Sequence, residues 1–415
     1  MNAVVTSKFD LSGARDRALT TTQTLGDLIF VSMENWDEIW RRNQFVCAEL
    51  ARRWPERKIL FVGLARDVSH GLRRGSVAAL RQAASSKVPG FENIVVTHPL
   101  KLLPNTVRLG REANEAMARR HVRRVAGEMG LRNPVLWLNP HYALHMAGRM
   151  GERGVIYDIT DDWISLSQSD RLRELVRRQD AELCRRADSV IVCSRRLFEL
   201  KREMARDLHL IPNGVDADHY RRGVDAGGEL PEMAKGWAGP VLGYTGTIHP
   251  DRVDVELVEA VARKMRGGSV VLVGPNLLPG EQSERLRRCG NVFLPGAVAY
   301  AEIPNIMRAF DVCITPHRVT AFTESLNPIK LWEYLAAGKP IVSTDVAGFR
   351  DYPQFVRIAK GADEFLAAAE AGMREEPGLR DARRREAERH SWVKRVDQIE
   401  GILENCGAGK REHAA

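Results

Sequence analysis

Short, uninterrupted apolar runs alternate with long amphipathic segments along this chain, and the alternation happens twice. DLIFVS (27–32), KILFVG (58–63), NIVVTH (93–98), PVLWLN (134–139), GVIYDI (154–159) and SVIVCS (189–194) have the length and β-branched content of buried strands. Between them, Asn43–Trp54, Gly110–Met129, His141–Met150 and Ser169–Arg186 carry helical spacing. Strands apolar on both faces and separated by helices form a parallel sheet covered on both sides. LHLIPNG (208–214) closes this series, and PVLGYTG (240–246), SVVLVG (269–274), NVFLPG (291–296), DVCITP (311–316) and PIVSTD (340–345) start a second one. Its helices are expected at Val255–Met265, Ala301–Ala309 and Pro328–Ala337.

The expected organisation is α/β with two Rossmann-like doubly wound domains. A polar leader (1–25) precedes a first domain (26–215), a connection (216–239), a second domain (240–385) and a terminal helix with a polar tail (386–415). A chain of 415 residues with 44% hydrophobic content suffices for two such cores. Two such sheets leave a cleft between their carboxyl ends, where open α/β sheets bind ligands.

Composition removes several classes. No stretch approaches the roughly 18 to 20 apolar residues that cross a bilayer, and MNAVVTSKFDLSGARDR has no apolar signal core, so a cytoplasmic location is expected. The six cysteines form no CxxC pair, which argues against a disulfide framework and a zinc site. The net charge of +8 comes from Arg pairs concentrated in the first half, such as Arg73-Arg74, Arg119-Arg120 and Arg123-Arg124. These are either solvated helix faces or the footprint of an anionic partner, a membrane surface or a phosphorylated lipid. No motif with interleaved aromatics points to nucleic acid.

The densest chemistry lies in ESLNPIKLWEYLAAGKPIVST (324–344), which reads as a loop, a helix opened by Pro328, a stop at Gly338 and a buried strand. Proline suits the first helical turn, and the free amides that follow it make an anion site. Lys330 and Glu333 share a face of that helix, either as a surface ion pair or as a cation for phosphate beside a carboxylate for ribose. In the first domain, SMENWDEIWRRNQF (32–45) lacks paired glycines but offers Trp36, Arg42, Asn43 and Gln44 for acceptor contact, with Trp40 fitting either a ligand or the core. Asp216-Ala-Asp218 has the form of a metal-binding Asp-x-Asp but sits in a turn, and no compact metal-ligand cluster accompanies it.

NPIKLWEYLAAGKPIVST (327–344), with LGYTGTIHPDRVDVELV (242–258), HLIPNGVDADHY (209–220) and HSWVKRVDQIEGIL (390–403), resembles GT-B glycosyltransferases close to family 4, in the branch of teichuronic-acid and exopolysaccharide transferases. The resemblance implies two Rossmann-like domains facing each other across a cleft, with the helix around Trp392 crossing back onto the first. It implies a donor site in which Glu333 binds ribose and Lys330 and Arg318 face the diphosphate. Gly246 and Thr247 would lie beneath it, with Glu324, Ser325, Asn327 and Pro328 completing the loop.

Two departures stand out. Ser325 occupies a position where the family often has a glutamate, with Glu324 one residue off, and Thr160 in GVIYDITDDW stands where a catalytic histidine is expected. Asp161, Asp162 and His141 are the candidate replacements for proton transfer, since a threonine hydroxyl is no base at neutral pH. Asp161 is equally a helix cap, and His145 is better read as a satisfied buried imidazole. Asp254 matches an acidic position of the branch without an assigned role.

The implied activity is metal-independent transfer of a hexosyl-type unit from a nucleoside-diphosphate sugar to a saccharide or polyprenyl-linked saccharide, in cell-envelope or extracellular polysaccharide synthesis. It needs no cofactor beyond the donor and fits the inner face of the membrane. The rival readings are a sugar-nucleotide 2-epimerase and a non-catalytic GT-B binding partner. A dehydrogenase is disfavoured because neither first strand leads into GxGxxG.

Overall fold

The computed structural model describes residues 26–68, 85–105, 107–166 and 168–407; the polar leader, Arg73-Arg74 and the extreme tail lie outside them. Among the described residues the first sheet has eight strands. Their spatial order is Leu208–Leu210, Ser189–Val192, Gly154–Ile159, Val135–Leu138, Leu28–Val31, Ile59–Val62, Phe91–Thr97 and Ser85–Val88. Every pair is parallel except the last, a hairpin at the edge. The second sheet is six-stranded and wholly parallel, ordered Val292–Gly296, Ser269–Val273, Val241–Thr245, Val312–Thr315, Ile341–Ser343 and Val356–Ile358.

Each sheet starts in its middle and grows outward in both directions. The order reverses between Leu28–Val31 and Val135–Leu138 in the first sheet, and between Val241–Thr245 and Val312–Thr315 in the second. At such a switch point the connecting helices leave on opposite faces, and a crevice opens beyond the strand ends. The loops after these strands therefore carry the candidate site.

Hydrophobic clusters cover both faces of both sheets. The helix Trp392–Asn405 lies on the first sheet rather than the second, placing Trp392, Val396, Ile399 and Ile402 in one cluster with Phe45 and Leu50. Trp392 stacks on Phe45 with ring centroids 5.0 Å apart. The chain thus passes between domains twice, and the two passes are bonded together: Val215 N–H donates to His390 O at 3.0 Å, and Trp392 N–H to Val215 O at 3.3 Å.

Several expected boundaries shift. The 216–239 connection contains the helix Ala217–Asp225, whose Tyr220 is buried in the second domain's core. The helix Gly378–Arg389 also packs there through Ala387, so the crossing falls at His390 and not within the helix near residue 385. His141–Met150 is a 3₁₀ turn only over His141–Met146, and Ala301–Ala309 shortens to Ile303–Met307 behind another 3₁₀ turn. Such short segments follow local turn geometry more than apolar spacing.

Candidate active site

The switch-point loops of both domains enclose a cavity of about 880 Å³. The second domain supplies the better-defined wall. Its helix Ile329–Ala337 starts behind Pro328, which serves as the cap with extended backbone (φ −71°, ψ 121°), and stops at Gly338 in the left-handed region (φ 71°). Asn327, Pro328, Lys330 and Glu333 all line the cavity, so the amino end of this helix opens on it. Lys330 and Glu333 form no ion pair within 4 Å, and Glu333 interacts instead with the Tyr220 hydroxyl. The Lys330 ammonium instead lies 5.3 Å from the Tyr244 ring centroid.

Burial and the nearby Arg252 push the Lys330 ammonium down to about 8, with Glu333 opposing. Burial raises the Glu333 carboxyl, with Lys330 and the Tyr220 hydroxyl offsetting part of it. A partly buried cation and a partly buried carboxylate, each destabilised by its surroundings, are placed to gain from a ligand of matching charge and hydroxyl groups.

Gly246 ends the strand Val241–Thr245 at φ 131°, a conformation that side-chain-bearing residues rarely adopt. A β-carbon there would lie 2.1 Å from Lys330 Cε, so the bare backbone is what lets the lysine lie across the strand end. Thr247 lines the cavity beside it.

The other expected donor contacts do not converge there. Arg318 is exposed and absent from the lining; its backbone N–H donates to Arg252 O at 2.7 Å, and the guanidinium that reaches the cavity from the second domain is Arg252. Glu324 is held away by a two-pronged pair with Arg350, at 2.6 and 2.8 Å. Ser325 is fully buried at the domain contact. It accepts from Asp162 N–H at 3.3 Å, and its carbonyl accepts from the Ser194 hydroxyl at 2.5 Å. Beside it, Asn327 Oδ1 accepts from Asn213 N–H at 2.8 Å, and its carbonyl accepts from the Asn213 amide at 2.6 Å. The 325–327 loop thus docks on the first domain while its continuation lines the cavity.

Of the proton-transfer candidates in the first domain, Asp161 lines the cavity and Asp162 and His141 do not. Asp162 is buried, capping the turn that follows through Ile164 N–H at 3.3 Å and the Ser165 hydroxyl. His141 Nδ1 pairs with Gln179 at 3.0 Å, and burial lowers its pKa. Asp161 is not a helix cap: Ser169 caps the next helix, while Asp161 Oδ1 lies 3.8 Å from the Arg252 guanidinium, across the cleft. Burial raises its carboxyl, with Arg252 countering. His145, beside Arg119 and Arg149, is pushed down to about 4, mainly by burial, and is a neutral structural imidazole.

The acceptor-side expectations divide. Trp36 packs into the core, 5.1 Å from the Phe61 centroid, and Trp40 lines the cavity in its place. Gln44 bonds Asn35 O, Ile39 O and Arg41 N–H, so it shapes its own loop. Arg42 lines the cavity but is committed to Asp158, Ile211 O, Pro212 O and Asn213. Asn43 lines it too, donating to Ser32 and Asn139 while its own Oδ1 has no donor. Asp254 caps the helix Val255–Lys264 through Leu257 N–H at 2.9 Å, and Asp216 caps Ala217–Asp225, so the Asp-x-Asp form is a helix start. Sequence reasoning passed over Arg252, Glu34 and Asn213, although Arg252 and Asn213 lie inside segments that carried the resemblance and Glu34 follows the first strand.

Two Rossmann-like domains with a shared cleft and a returning terminal helix make this the fold of GT-B glycosyltransferases. Residues 239–376 match the family described as Glycosyl transferases group 1. The chain is 28% identical over 257 residues to TuaH of Bacillus subtilis (strain 168), named as a teichuronic acid biosynthesis glycosyltransferase; the match spans 57% of this chain and 64% of that protein. Among solved structures, a sucrose-phosphate synthase of Thermosynechococcus elongatus superposes with a TM-score of 0.65 at 15% identity, covering 92% of this chain and 98% of that one. Anabaena HepE in complex with UDP-glucose does so with a TM-score of 0.65 at 18% identity, covering 92% and 100%. At these identities the structural likeness concerns the fold.

Proposed function

We propose that this protein is a glycosyltransferase that binds a nucleoside-diphosphate sugar, a UDP-sugar in the first instance, on its second domain and passes the sugar to a saccharide held by the first. The observation that carries this reading is Lys330 and Glu333 on one face of one helix with no ion pair between them, above a bare Gly246, at the second sheet's switch point. UDP-glucose bound to HepE, a structure of the same fold, supports the choice of base.

In this reading Glu333 accepts ribose hydroxyls, while Lys330, Arg252 and the helix amides meet the diphosphate charge without a metal ion. The bond between the anomeric carbon and the diphosphate oxygen breaks, an acceptor hydroxyl oxygen bonds to that carbon, and its proton leaves to Asp161 or to the departing diphosphate. The 325–327 contacts with Ser194 and Asn213 hold the domains closed and limit hydrolysis by water.

UDP is expected to stabilise the protein against heat, ahead of GDP, ADP and dTDP. Glu333→Ala is expected to weaken UDP about 10- to 100-fold, the worth of a lost charge-assisted contact of about 1.5–3 kcal/mol. Absence of stabilisation by every nucleotide removes the reading. Retained UDP binding without turnover on any acceptor supports the non-catalytic alternative, and acceptor-free conversion of the sugar supports the 2-epimerase.

The acceptor is proposed to be lipid-linked and met at the cytoplasmic face of an anionic membrane, in envelope or extracellular polysaccharide assembly. No described helix is long and apolar enough to cross a membrane. Leu102, Leu103, Val107 and Leu109 are exposed, Leu109 to 75%, next to Arg108 and Arg111 at the start of the helix Arg108–Met129. Apolar side chains flanked by arginine suit a headgroup interface. Vesicles containing phosphatidylglycerol are expected to sediment the protein, and Val107→Glu with Leu109→Glu to weaken this about tenfold or more, since burying each side chain is worth about 1.5–3 kcal/mol. Equal sedimentation of wild type and variant rules out this surface.

A further inference from the structure

The first-domain wall of the cavity carries two buried hydrogen-bond acceptors, Glu34 Oε2 and Asn43 Oδ1, that have no donor. Glu34 follows the strand Leu28–Val31 at the first switch point, where its backbone N–H is tied to Ser32 Oγ at 2.9 Å. Its Oε1 lies 3.6 Å from Arg41, a guanidinium also engaged by Asp37 at 3.3 Å and Ile39 O at 2.9 Å. Its Oε2 is buried and has no donor. The same is true of Asn43 Oδ1, on a side chain that is 2% exposed. Asp161 lines the cavity nearby, its charge shared with Arg252.

Burying an oxygen that accepts no hydrogen bond costs on the order of 1–3 kcal/mol, so these atoms await a donor. The same wall carries Trp40, Tyr142 and Trp163. A ligand that offers several hydroxyl donors and apolar C–H faces matches both features, and a sugar ring has both. An acidic sugar does not match, because its carboxylate would meet Glu34 and Asp161, with Arg41 held by Glu34, Asp37 and Ile39 O and Arg252 shared between Asp161 and the donor diphosphate.

We propose that Glu34 and Asn43, with the aromatic side chains around them, form the acceptor subsite, and that it takes a neutral hydroxyl-bearing sugar and discriminates against a uronic acid. This rests on the donor lying in the second domain. Burial pushes the Glu34 carboxyl up to about 7, with Asp161 and Asp37 adding to the rise and Arg41 and Arg252 opposing it. Hydroxyl donors favour the carboxylate form, so the affinity of a neutral sugar is full above that pH and falls as pH drops through it.

Binding is measured by isothermal titration on the full chain saturated with UDP, using nitrophenyl glucoside, galactoside and N-acetylglucosaminide against nitrophenyl glucuronide. Wild type is expected to bind at least one neutral glycoside tenfold or more above the glucuronide, weakening below pH 7. Glu34→Gln is expected to lose about tenfold on the neutral glycoside at pH 8, to narrow the gap to the glucuronide and to flatten the pH profile. Stabilisation by UDP is expected to be unchanged in that variant, which separates a subsite defect from misfolding. Equal or better binding of the glucuronide, an unaffected Glu34→Gln, or UDP binding with no glycoside binding overturns the subsite. Failure of wild type to bind UDP overturns the donor reading and the subsite with it.

Discussion

Arg42→Ala is expected to cost about 3–5 kcal/mol of stability, because it leaves the buried Asp158 carboxylate without its cation. The Arg42 and Asp158 side chains are 4% and 0% exposed, and Nε lies 3.0 Å from Oδ2. The guanidinium also donates to Ile211 O, Pro212 O and Asn213 Oδ1 at 3.0, 3.3 and 3.2 Å. One side chain therefore joins the helix Arg42–Arg53, the strand Gly154–Ile159 and the segment through which the chain leaves the first domain.

The measurement is urea denaturation followed by tryptophan fluorescence. Arg42→Lys should be nearly as damaging, because an ammonium does not reproduce the fork that reaches several oxygens. Arg42→Met combined with Asp158→Leu should be less damaging than Arg42→Ala, since it leaves no lone buried charge. A loss below about 1 kcal/mol accompanied by weaker acceptor binding would restore Arg42 to the ligand-contact role read from its sequence.

Gly246→Ala is expected to weaken UDP about 10- to 100-fold in a protein that still folds. The new β-carbon falls 2.1 Å from Lys330 Cε and 2.4 Å from Nζ, at a backbone φ of 131°. The strand must shift, at about 1–3 kcal/mol for an unfavourable backbone, or the lysine must leave its place. Losing its contact with a diphosphate costs about 1.5–3 kcal/mol. Titration of UDP into Gly246→Ala, Lys330→Ala and the double variant separates the causes. If the glycine acts through the lysine, the double variant binds no worse than Lys330→Ala. Undiminished UDP affinity in Gly246→Ala would place the diphosphate elsewhere.

The resemblance and the geometry agree about the helix Ile329–Ala337 and disagree about its surroundings. Lys330 and Glu333 were legible because a regular helix places residues three apart on one face whatever surrounds it. Arg318 and Glu324 were misplaced because Arg318 stands on irregular backbone and Glu324 on a five-residue helix, Ala321–Ser325, where position along the chain says little about which neighbour a side chain meets. One charge turned to solvent and the other to Arg350, 26 residues further along the chain. Trp36 left its expected ligand role, and Trp40 took the ligand side of its two readings, for a similar reason: both lie in one loop, and contact with Phe61 draws Trp36 inward. Glu34 carried no signal beyond following a strand, since its significance comes from Asp161 and Arg252, which only folding brings near it.

What the sequence determines by itself is local and periodic: strands apolar on both faces, helices between them, the restart near residue 240, and the Lys330–Glu333 face closed by Gly338. Backbone hydrogen bonding and burial act there over a few neighbouring residues, so the pattern is written in adjacent letters. The tertiary structure alone decided that Arg252 and not Arg318 reaches the cavity and that Arg42 braces the fold, whereas the last helix returns to the first domain's core as the resemblance implied. Those outcomes depend on packing between segments up to hundreds of residues apart, where the direction of a side chain is set by what it meets in space.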